Sequence, residues 1–357
     1  MSGMGTITSL DLETFRRTQA PLVDVRSPSE FRQGHWPDAI NIPLFSDAQR
    51  ADVGLTYKTG GRDAAIQLGL KHVGPELVSL ADALREAAGS GPMLRLTCWR
   101  GGLRSSSVAW LAQLIGLTPI LLTGGYKSYR RWVLQQFDRP WPLRLLGGRT
   151  GTGKTDLLLE LQRRGVAVVD LEGLAHHRGS SFGGLGLPEQ PSTEQFENRL
   201  AEALDQHRQG GAEQIWLEAE SAQVGRCRIP RALFQQMQAA PVLEIRRSLE
   251  ERIEQLVKVY APLGAAPLKA ATERISRRLG PQRTRESLTA IDRCDWPSAC
   301  RSMLEYYDRC YDHELARAVE RHQIDLDGLQ VDQAAEALIT QEWIRFPGAL
   351  SSETNSF

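Results

Sequence analysis

The segment from Gly148 to Thr155, Gly-Arg-Thr-Gly-Thr-Gly-Lys-Thr, restricts the possible folds of this chain more than any other feature. It fits G-x-x-x-x-G-K-[ST], the P-loop pattern, in which backbone N–H groups surround a di- or triphosphate and the lysine neutralises it. Such a loop requires a strand before it and a helix after it. Apolar residues 143–146 predict the strand, and Leu157, Leu158 and Leu161 mark the packed face of the helix. The predicted phosphate-binding residues are Gly148, Thr150, Gly151, Gly153, Lys154 and Thr155.

The rest of the second half alternates between strands and helices. Four short apolar segments predict further strands: 166–169, 215–217, 242–245 and 324–326. This alternation indicates a parallel α/β sheet. Pro140 and Pro142 end the preceding helical pattern, and 357 residues exceed the usual size of one domain. We therefore predict a first domain over residues 1–138 and a second over 139–357.

A second reactive loop, Cys98-Trp-Arg-Gly-Gly-Leu-Arg-Ser105, lies in the first half. Residues 93–97 predict a strand that leads directly into Cys98, and residues 105–115 predict an amphipathic helix that begins just after the loop. Residues 21–25, 39–42 and 120–122 predict three more strands. At the start of a helix, beside Arg100 and Arg104, a thiolate is stabilised by the helix dipole and by fixed positive charge. Cys98 is therefore a candidate nucleophile that accepts and passes on sulfur, selenium or a phosphoryl group.

Cysteine spacing and hydropathy exclude several other classes. The five cysteines are odd in number and form no C-x-x-C pair, which argues against a disulfide framework and against a zinc site, so no resident metal site is predicted. No apolar run approaches the ~18–20 residues needed to cross a bilayer, and the first residues lack the pattern of a secretory signal. We expect a cytoplasmic protein without a membrane partner.

Charge is balanced over the whole chain but is unevenly distributed. Residues 226–293 hold 14 Lys and Arg against 7 Asp and Glu, whereas residues 294–357 hold 5 against 12. Two interpretations remain open, namely solvated helix faces that carry ion pairs and a nucleic-acid surface. Arg274, Arg277 and Arg278 have the spacing i, i+3, i+4, which predicts a shared helix face able to follow an RNA backbone.

Four residues after the second predicted strand of the P-loop half are supporting candidates. Asp170 ends that strand and, with Thr155, offers oxygen ligands for a Mg²⁺ ion. His176 and His177 are adjacent and point to different sides, so at most one of them is expected to reach the site. Arg178 is a further candidate phosphate contact.

The first half resembles the rhodanese domain. Asp24-Val-Arg-Ser-Pro-Ser-Glu-Phe31 and Gly34-His-Trp-Pro-Asp-Ala-Ile-Asn-Ile-Pro43 are similar to the opening signature of that domain, and Cys98 lies where its persulfide-forming cysteine is found. The spacing from Cys98 to Arg104 is C-x5-R, one residue longer than the commonest rhodanese loop and equal to that of cysteine phosphatases. Phosphatases usually carry histidine before the cysteine, and this chain has Thr97.

Taken together, the two loops and the segment Asp170 to Gly183 resemble the tRNA 2-selenouridine synthase family over nearly the whole chain. The segment 218–230 is also similar, although Ala222 and Gln223 replace basic residues that the family pattern would have. The resemblance implies an N-terminal rhodanese-like domain followed by a P-loop NTPase-like parallel-sheet domain.

The same resemblance implies a tRNA-modifying transferase with two steps. Wobble 2-thiouridine would first be S-geranylated from geranyl diphosphate, and selenium from selenophosphate would then replace the geranylthio group. Cys98 would carry the selenium, Arg100 and Arg104 would steer selenophosphate, and no resident cofactor is firmly implied.

Two other classes remain open. The first is a sulfurtransferase or cysteine-phosphatase domain fused to a small-molecule P-loop kinase, for which ATP is the default nucleotide. The second is a non-enzymatic scaffold gated by a nucleotide.

Overall fold

Two parallel β-sheets with helices between their strands confirm the predicted α/β class. The computed structural model describes residues 6–315, 320–341 and 343. It divides the chain into unit 1, Met1–Gln136 with Glu197–Arg199, and unit 2, Phe137–Phe196 with Leu200–Phe357. Part of the range 294–357, in which acidic residues predominate, lies outside the described residues, namely 316–319, 342 and 344–357. Among the described helices, none is both long and apolar enough to cross a bilayer.

Unit 1 contains a five-stranded parallel sheet in the order β1-β5-β4-β2-β3. Its strands are β1 Thr8–Leu10, β2 Leu22–Asp24, β3 Ile40–Asn41, β4 Met93–Thr97 and β5 Thr118–Leu122. Its helices are α1 Leu12–Arg17, α2 Pro28–Gln33, α3 Asp47–Val73, α4 Leu77–Ala88, α5 Leu103–Leu114 and α6 Gly125–Phe137. Because β4 is central and its Leu94 and Leu96 are fully buried, the strand places Cys98 at the carboxyl edge of the sheet.

Unit 2 contains a four-stranded parallel sheet in the order β11-β10-β6-β7 and a short antiparallel pair, β8-β9. Its strands are β6 Leu143–Gly147, β7 Ile215–Glu218, β8 Gln223–Val224, β9 Cys227–Arg228, β10 Val242–Arg246 and β11 Arg321–Asp325. Its first helices are α7 Lys154–Arg163, α8 Leu171–Ala175, α9 Thr193–Gln209 and α10 Arg231–Ala239. The strand predicted over 166–169 is reduced to one bridge between Val168 and Trp216, because only a few backbone groups of this segment meet β7.

A helical subregion lies between β10 and β11. Its helices are α11 Leu249–Tyr260, α12 Ala265–Arg274, α13 Ser276–Leu279, α14 Pro281–Asp292 and α15 Trp296–Leu315, and α16 Val331–Thr340 follows β11. A separate apolar core, which includes Leu268, Ile275 and Ile291, holds α12 to α15 together. The other core of unit 2 packs α7 and α16 against the sheet.

The prediction that Arg274, Arg277 and Arg278 share one helix face is wrong. Helix α12 ends at Arg274, and Ile275 adopts φ −102° and ψ 6° before α13 begins. The buried side chain of Ile275 anchors this break in the apolar core. Arg274 therefore belongs to a different helix from Arg277 and Arg278.

Candidate functional site

Cys98 occupies a strand-to-helix loop of the predicted kind. It directly follows β4 and is 97% buried, and its Sγ lies 3.2 Å from the hydroxyl oxygen of Ser105 in the first turn of α5. That hydroxyl can also donate to the carbonyl oxygen of Gly102 at 3.1 Å. Among the described residues, no backbone hydrogen bond takes its donor from 99–102. These N–H groups and the start of α5 make the loop suitable for an anion.

The first turn of α6 fixes the position of this loop. Tyr126 N–H donates to the carbonyl oxygen of Cys98 at 2.8 Å, and Lys127 N–H donates to that of Trp99 at 3.0 Å. Gly101 and Gly125 both have positive φ, and a Cβ atom on Gly125 would lie 2.3 Å from the Cys98 carbonyl oxygen. Only glycine allows this close approach of two backbone segments.

The two predicted arginines of the cysteine loop differ in environment. Arg100 is exposed. Arg104 donates to the carboxylate of Glu30 at 2.6 and 3.3 Å. Burial acts to raise the pKa of Glu30, but the hydrogen bond and positive charge of Arg104 lower it below its ordinary value. The charge of Arg104 is therefore compensated, whereas Arg100 is available to an incoming anion.

A buried ion pair lies beside the loop. Arg26 and Asp24 are almost fully buried and form hydrogen bonds of 2.6–3.0 Å. The Arg26 guanidinium carbon also lies 3.7 Å from the centroid of the Tyr126 ring, at the start of α6. Asp24 and Arg26 of the signature thus form a buried support beside the cysteine loop, whereas Glu30 of the same signature pairs with Arg104.

The P-loop of unit 2 lies between β6 and α7, as its motif requires. Lys154 Nζ donates to the carbonyl oxygen of Gly148 at 2.8 Å and lies 4.7 Å from the centroid of the Tyr311 ring. Gly151 has φ +85°, and a Cβ atom there would lie 2.8 Å from the Arg252 carbonyl oxygen. The loop is therefore folded tightly against α11, and its lysine points back to the loop.

Ion pairs also connect the P-loop to α15. Arg149, within the loop, donates to Asp312 at 2.9 and 2.7 Å. Arg252 donates to the carbonyl oxygen of Thr150 at 2.8 Å and to Asp308 at 3.0 Å. Two carboxylates on α15 thus hold that helix beside the phosphate-binding loop.

A cleft of about 430 Å³ opens in front of the P-loop. The predicted residues that line it are Thr150, Gly151, Gly153, Lys154, Thr155, Arg178 and Arg278. Burial acts to lower the pKa of Lys154, but Tyr311, Glu220 and Glu172 raise it above its ordinary value. The lysine is therefore a cation, and the two nearby carboxylates, Glu220 and Glu172, act on it through their charge.

The acidic group beside Thr155 differs from the predicted one. The hydroxyl of Thr155 donates to Glu172 at 2.7 Å, whereas Asp170 accepts from Gly173 N–H at 2.7 Å and begins α8. Helix α8 starts immediately after Asp170, and its first turn brings Glu172 to the loop. Thr155 and Glu172 are thus the oxygen donors that fit a Mg²⁺ ion at a bound diphosphate. Among the described residues, no cluster of three or more His, Cys, Asp or Glu could hold a metal ion.

Glu218, at the end of β7, is a buried carboxyl that no sequence motif marks as a site residue. One of its oxygens accepts from Leu171 N–H at 2.9 Å. Burial, together with the nearby carboxylates of Asp170 and Glu172, raises its pKa well above the ordinary value. The raised pKa favours the neutral form of Glu218, which limits the negative charge behind the P-loop.

The two adjacent histidines lie outside the cleft lining. His176 ends α8 with φ +51°, and its Nδ1 lies 2.9 Å from the carbonyl oxygen of Glu189. Burial and the charge of Arg178 lower the pKa of His177 below its ordinary value. Arg178 itself lines the cleft and donates to the Leu185 carbonyl oxygen at 3.0 Å. The structure therefore brings Arg178 to the P-loop and assigns His176 a backbone contact.

Basic residues of the range 226–293 are partly neutralised by acidic residues of the range 294–357, as the ion-pair interpretation expects. Arg252 pairs with Asp308, and Arg283 pairs with Glu305 at 2.7 Å. Arg274 and Arg277 are exposed and form no ion pair within the described part of the chain. These two arginines remain accessible to a polyanion.

A second, apolar cavity adjoins the cleft. Thr150, Ser180, Leu256, Tyr260 and Tyr307 line both. Its remaining walls are almost entirely hydrocarbon and come from Phe182 and from helices α11, α12, α14 and α15. No sequence motif marks this cavity or the tyrosines of the cleft. The spacing of apolar residues along 296–307 was the one sequence pattern that could have indicated the cavity wall.

Two family models match the chain. The model described as "tRNA 2-selenouridine synthase AAA domain" matches residues 141–341, and the rhodanese-like domain matches residues 11–131. The first covers more than half of the chain and includes the P-loop, and the second includes Cys98.

Several curated proteins named tRNA 2-selenouridine synthase are similar over most of their length. The protein from Bordetella petrii is 37% identical over 345 residues, which covers 87% of this chain and 90% of that protein. The protein from Marinobacter nauticus is 36% identical, covering 83% and 89% respectively. The protein from Pseudomonas fluorescens is 41% identical, covering 71% and 70%.

Proposed function

The chain belongs to the tRNA 2-selenouridine synthase family, and from this premise we propose that it is a transferase that converts 2-thiouridine of tRNA to 2-selenouridine. The proposed substrates are tRNA, geranyl diphosphate and selenophosphate, and the proposed location is the cytoplasm. The observation that carries the proposal is the presence in one family member of a buried cysteine at the start of α5 and a P-loop at the start of α7.

The first proposed step is S-geranylation at the P-loop cleft. Sulfur doubly bonded to C2 of the base is a poor leaving group, whereas an S-alkylated form departs as a thiol after selenium adds to the ring carbon. Loss of diphosphate from geranyl diphosphate requires stabilisation of the departing anion. Lys154 and the loop N–H groups supply that stabilisation without nucleotide hydrolysis, and Thr155 with Glu172 would hold an accompanying Mg²⁺.

The second proposed step is selenium exchange at the cysteine loop. The loop backbone donors, with Arg100, receive the anionic selenophosphate. The Cys98 thiolate attacks the selenium atom, the P–Se bond breaks with its electron pair leaving on phosphorus as phosphite, and Cys98 carries the selenium as a selenosulfide. An external thiol reduces the selenosulfide and releases selenide, which adds to C2 of the base and expels geranylthiol. The pairing with Glu30 gives Arg104 a role in orienting the loop. This division assigns one loop to each step.

Mass spectrometry of tRNA nucleosides tests the proposal. The full chain would be incubated with 2-thiouridine-containing tRNA and geranyl diphosphate, and separately with S-geranylated tRNA, selenophosphate and an external thiol. The first reaction should give S-geranyl-2-thiouridine and the second 2-selenouridine. Unchanged nucleosides in both reactions would refute the proposal.

A P-loop kinase fused to a sulfurtransferase or cysteine phosphatase is the second candidate function. The Thr155 and Glu172 oxygens at the loop support it, because they would also suit a Mg²⁺ ion that accompanies a bound nucleotide. ATP turnover on a metabolite in the absence of tRNA is the result that would support this candidate.

A further inference from the structure

The apolar cavity beside the P-loop adjoins the phosphate-binding cleft. The two share five lining residues, including Thr150 of the loop itself and Leu256 of α11. A nucleotide base needs polar contacts, whereas the walls of this cavity expose almost no polar surface. A hydrocarbon-lined cavity therefore lies directly beside the cleft that would bind the diphosphate.

Helix α15 runs along both parts of this site. Tyr311 lies beside Lys154, Tyr307 lies where cleft and cavity meet, and Met303, Cys300 and Ala299 line the cavity. Met303 precedes Tyr311 by eight residues, which is about 12 Å along the helix axis, and Ala299 precedes it by twelve, about 18 Å. Residues of α15 thus lie at increasing distances from the position of the diphosphate.

We infer that the cavity binds the isoprenoid chain of the diphosphate substrate and that Met303 sets its permitted length. This inference rests on the proposed function and extends it to chain-length selection. With carbon–carbon bonds of ~1.5 Å, the main chain of a ten-carbon geranyl group extends about 10 Å and a fifteen-carbon farnesyl group about 15 Å. The first ends near Met303, and the second passes it.

The cavity must widen when the chain enters. Its volume of about 60 Å³ is smaller than the ~150 Å³ of a cavity that holds benzene. Met303 is only half-buried, and its unbranched side chain changes rotamer readily. Burial then raises affinity by about fourfold for each methylene removed from water.

Binding of the full chain to inorganic diphosphate, dimethylallyl diphosphate, geranyl diphosphate and farnesyl diphosphate, measured by calorimetry, tests this inference. Wild-type protein should bind geranyl diphosphate at least about tenfold more tightly than the five-carbon compound and should disfavour the fifteen-carbon one. Met303→Ala should bind farnesyl diphosphate more tightly than wild type, and Met303→Trp should shift preference to the five-carbon compound. Inorganic diphosphate should bind all three proteins equally.

Met237→Ala is the matched control, because Met237 is buried in α10 and lines neither the cleft nor the cavity. Its chain-length preference should equal that of wild type. If the tryptophan variant unfolds, the alanine variant alone decides the question. Equal affinity of wild type for inorganic and geranyl diphosphate, or an unchanged length preference in folded Met303→Ala, would overturn the inference. Length-dependent binding without transfer to tRNA would instead refute the proposed function and leave the cavity assignment standing.

Discussion

Replacement of Lys154 by alanine tests the assignment of the P-loop most directly. Lys154 faces the cleft from the loop, where it is held by the Gly148 carbonyl oxygen and by the Tyr311 ring. Removing one preorganised donor to a developing anion typically slows a reaction by ~10²–10³. Here the loss also leaves Glu172 and Glu220 uncompensated beside the departing diphosphate. We therefore expect the geranylation rate to fall by about 10³, the upper end of that range.

The rate would be followed by mass spectrometry of tRNA nucleosides under single-turnover conditions with excess geranyl diphosphate. Lys258→Ala, an exposed lysine of α11 that does not line the cleft, is the matched control and should retain the wild-type rate. A thermal unfolding curve would establish that the Lys154 variant is folded. Normal geranylation by folded Lys154→Ala, with loss of ATP binding only, would show that the loop is a nucleotide site and refute the assignment.

Three further predictions concern the other parts of the chain. Cys98→Ser should abolish selenium incorporation while S-geranylation continues, and a normal selenouridine yield from the serine variant would remove Cys98 from the mechanism. Replacing Arg274 and Arg277 together by Gln should flatten the slope of log tRNA affinity against log salt by about one to two units and leave geranyl diphosphate affinity unchanged; the parental slope would place the tRNA surface elsewhere. The melting temperature of Glu218→Gln should exceed that of wild type by an amount that grows as pH rises. The pKa of Glu218 is raised in the folded state, so the stability that its protonated form contributes at low pH is lost as pH passes through the folded-state pKa, whereas glutamine stays neutral. A pH-independent difference in melting temperature would contradict that explanation.

The local patterns around the two loops predicted the fold well. Residues 93–97 form β4 with the predicted bounds, and the strand, glycine loop and helix of the P-loop are all confirmed. These segments are predictable because one buried strand and one amphipathic helix carry their signal within a dozen residues. By contrast, α3 covers 27 residues in two helical stretches that meet at a kink, where Gly61 adopts a non-helical φ of +81°. Its low amphipathicity hid the helix, although the capping box of Ser46 and Gln49 marked its start.

Long-range geometry limited the prediction of the site. The sequence indicated Asp170 as the acid beside Thr155 because it ends an apolar run, but the early start of α8 brings Glu172 there instead. The spacing of the three arginines was helical, yet a buried isoleucine interrupts the helix between the first and the second. Tyr311 and Met303 reach the site from a helix about 150 residues after the P-loop, a relationship that only tertiary packing determines.

The hydrogen bonds between the cysteine loop and α6 determine which helix start of unit 1 can bind an anion. Two helices, α5 and α6, begin close to Cys98, and either N-terminus would attract negative charge. The first N–H groups of α6 already donate to the carbonyl oxygens of Cys98 and Trp99. These N–H groups of α6 are therefore not available to an anion. The N–H groups at the start of α5, directly beside the Cys98 sulfur, are the ones that can bind it. The start of α6 therefore fixes the loop, and the start of α5 attracts the anion.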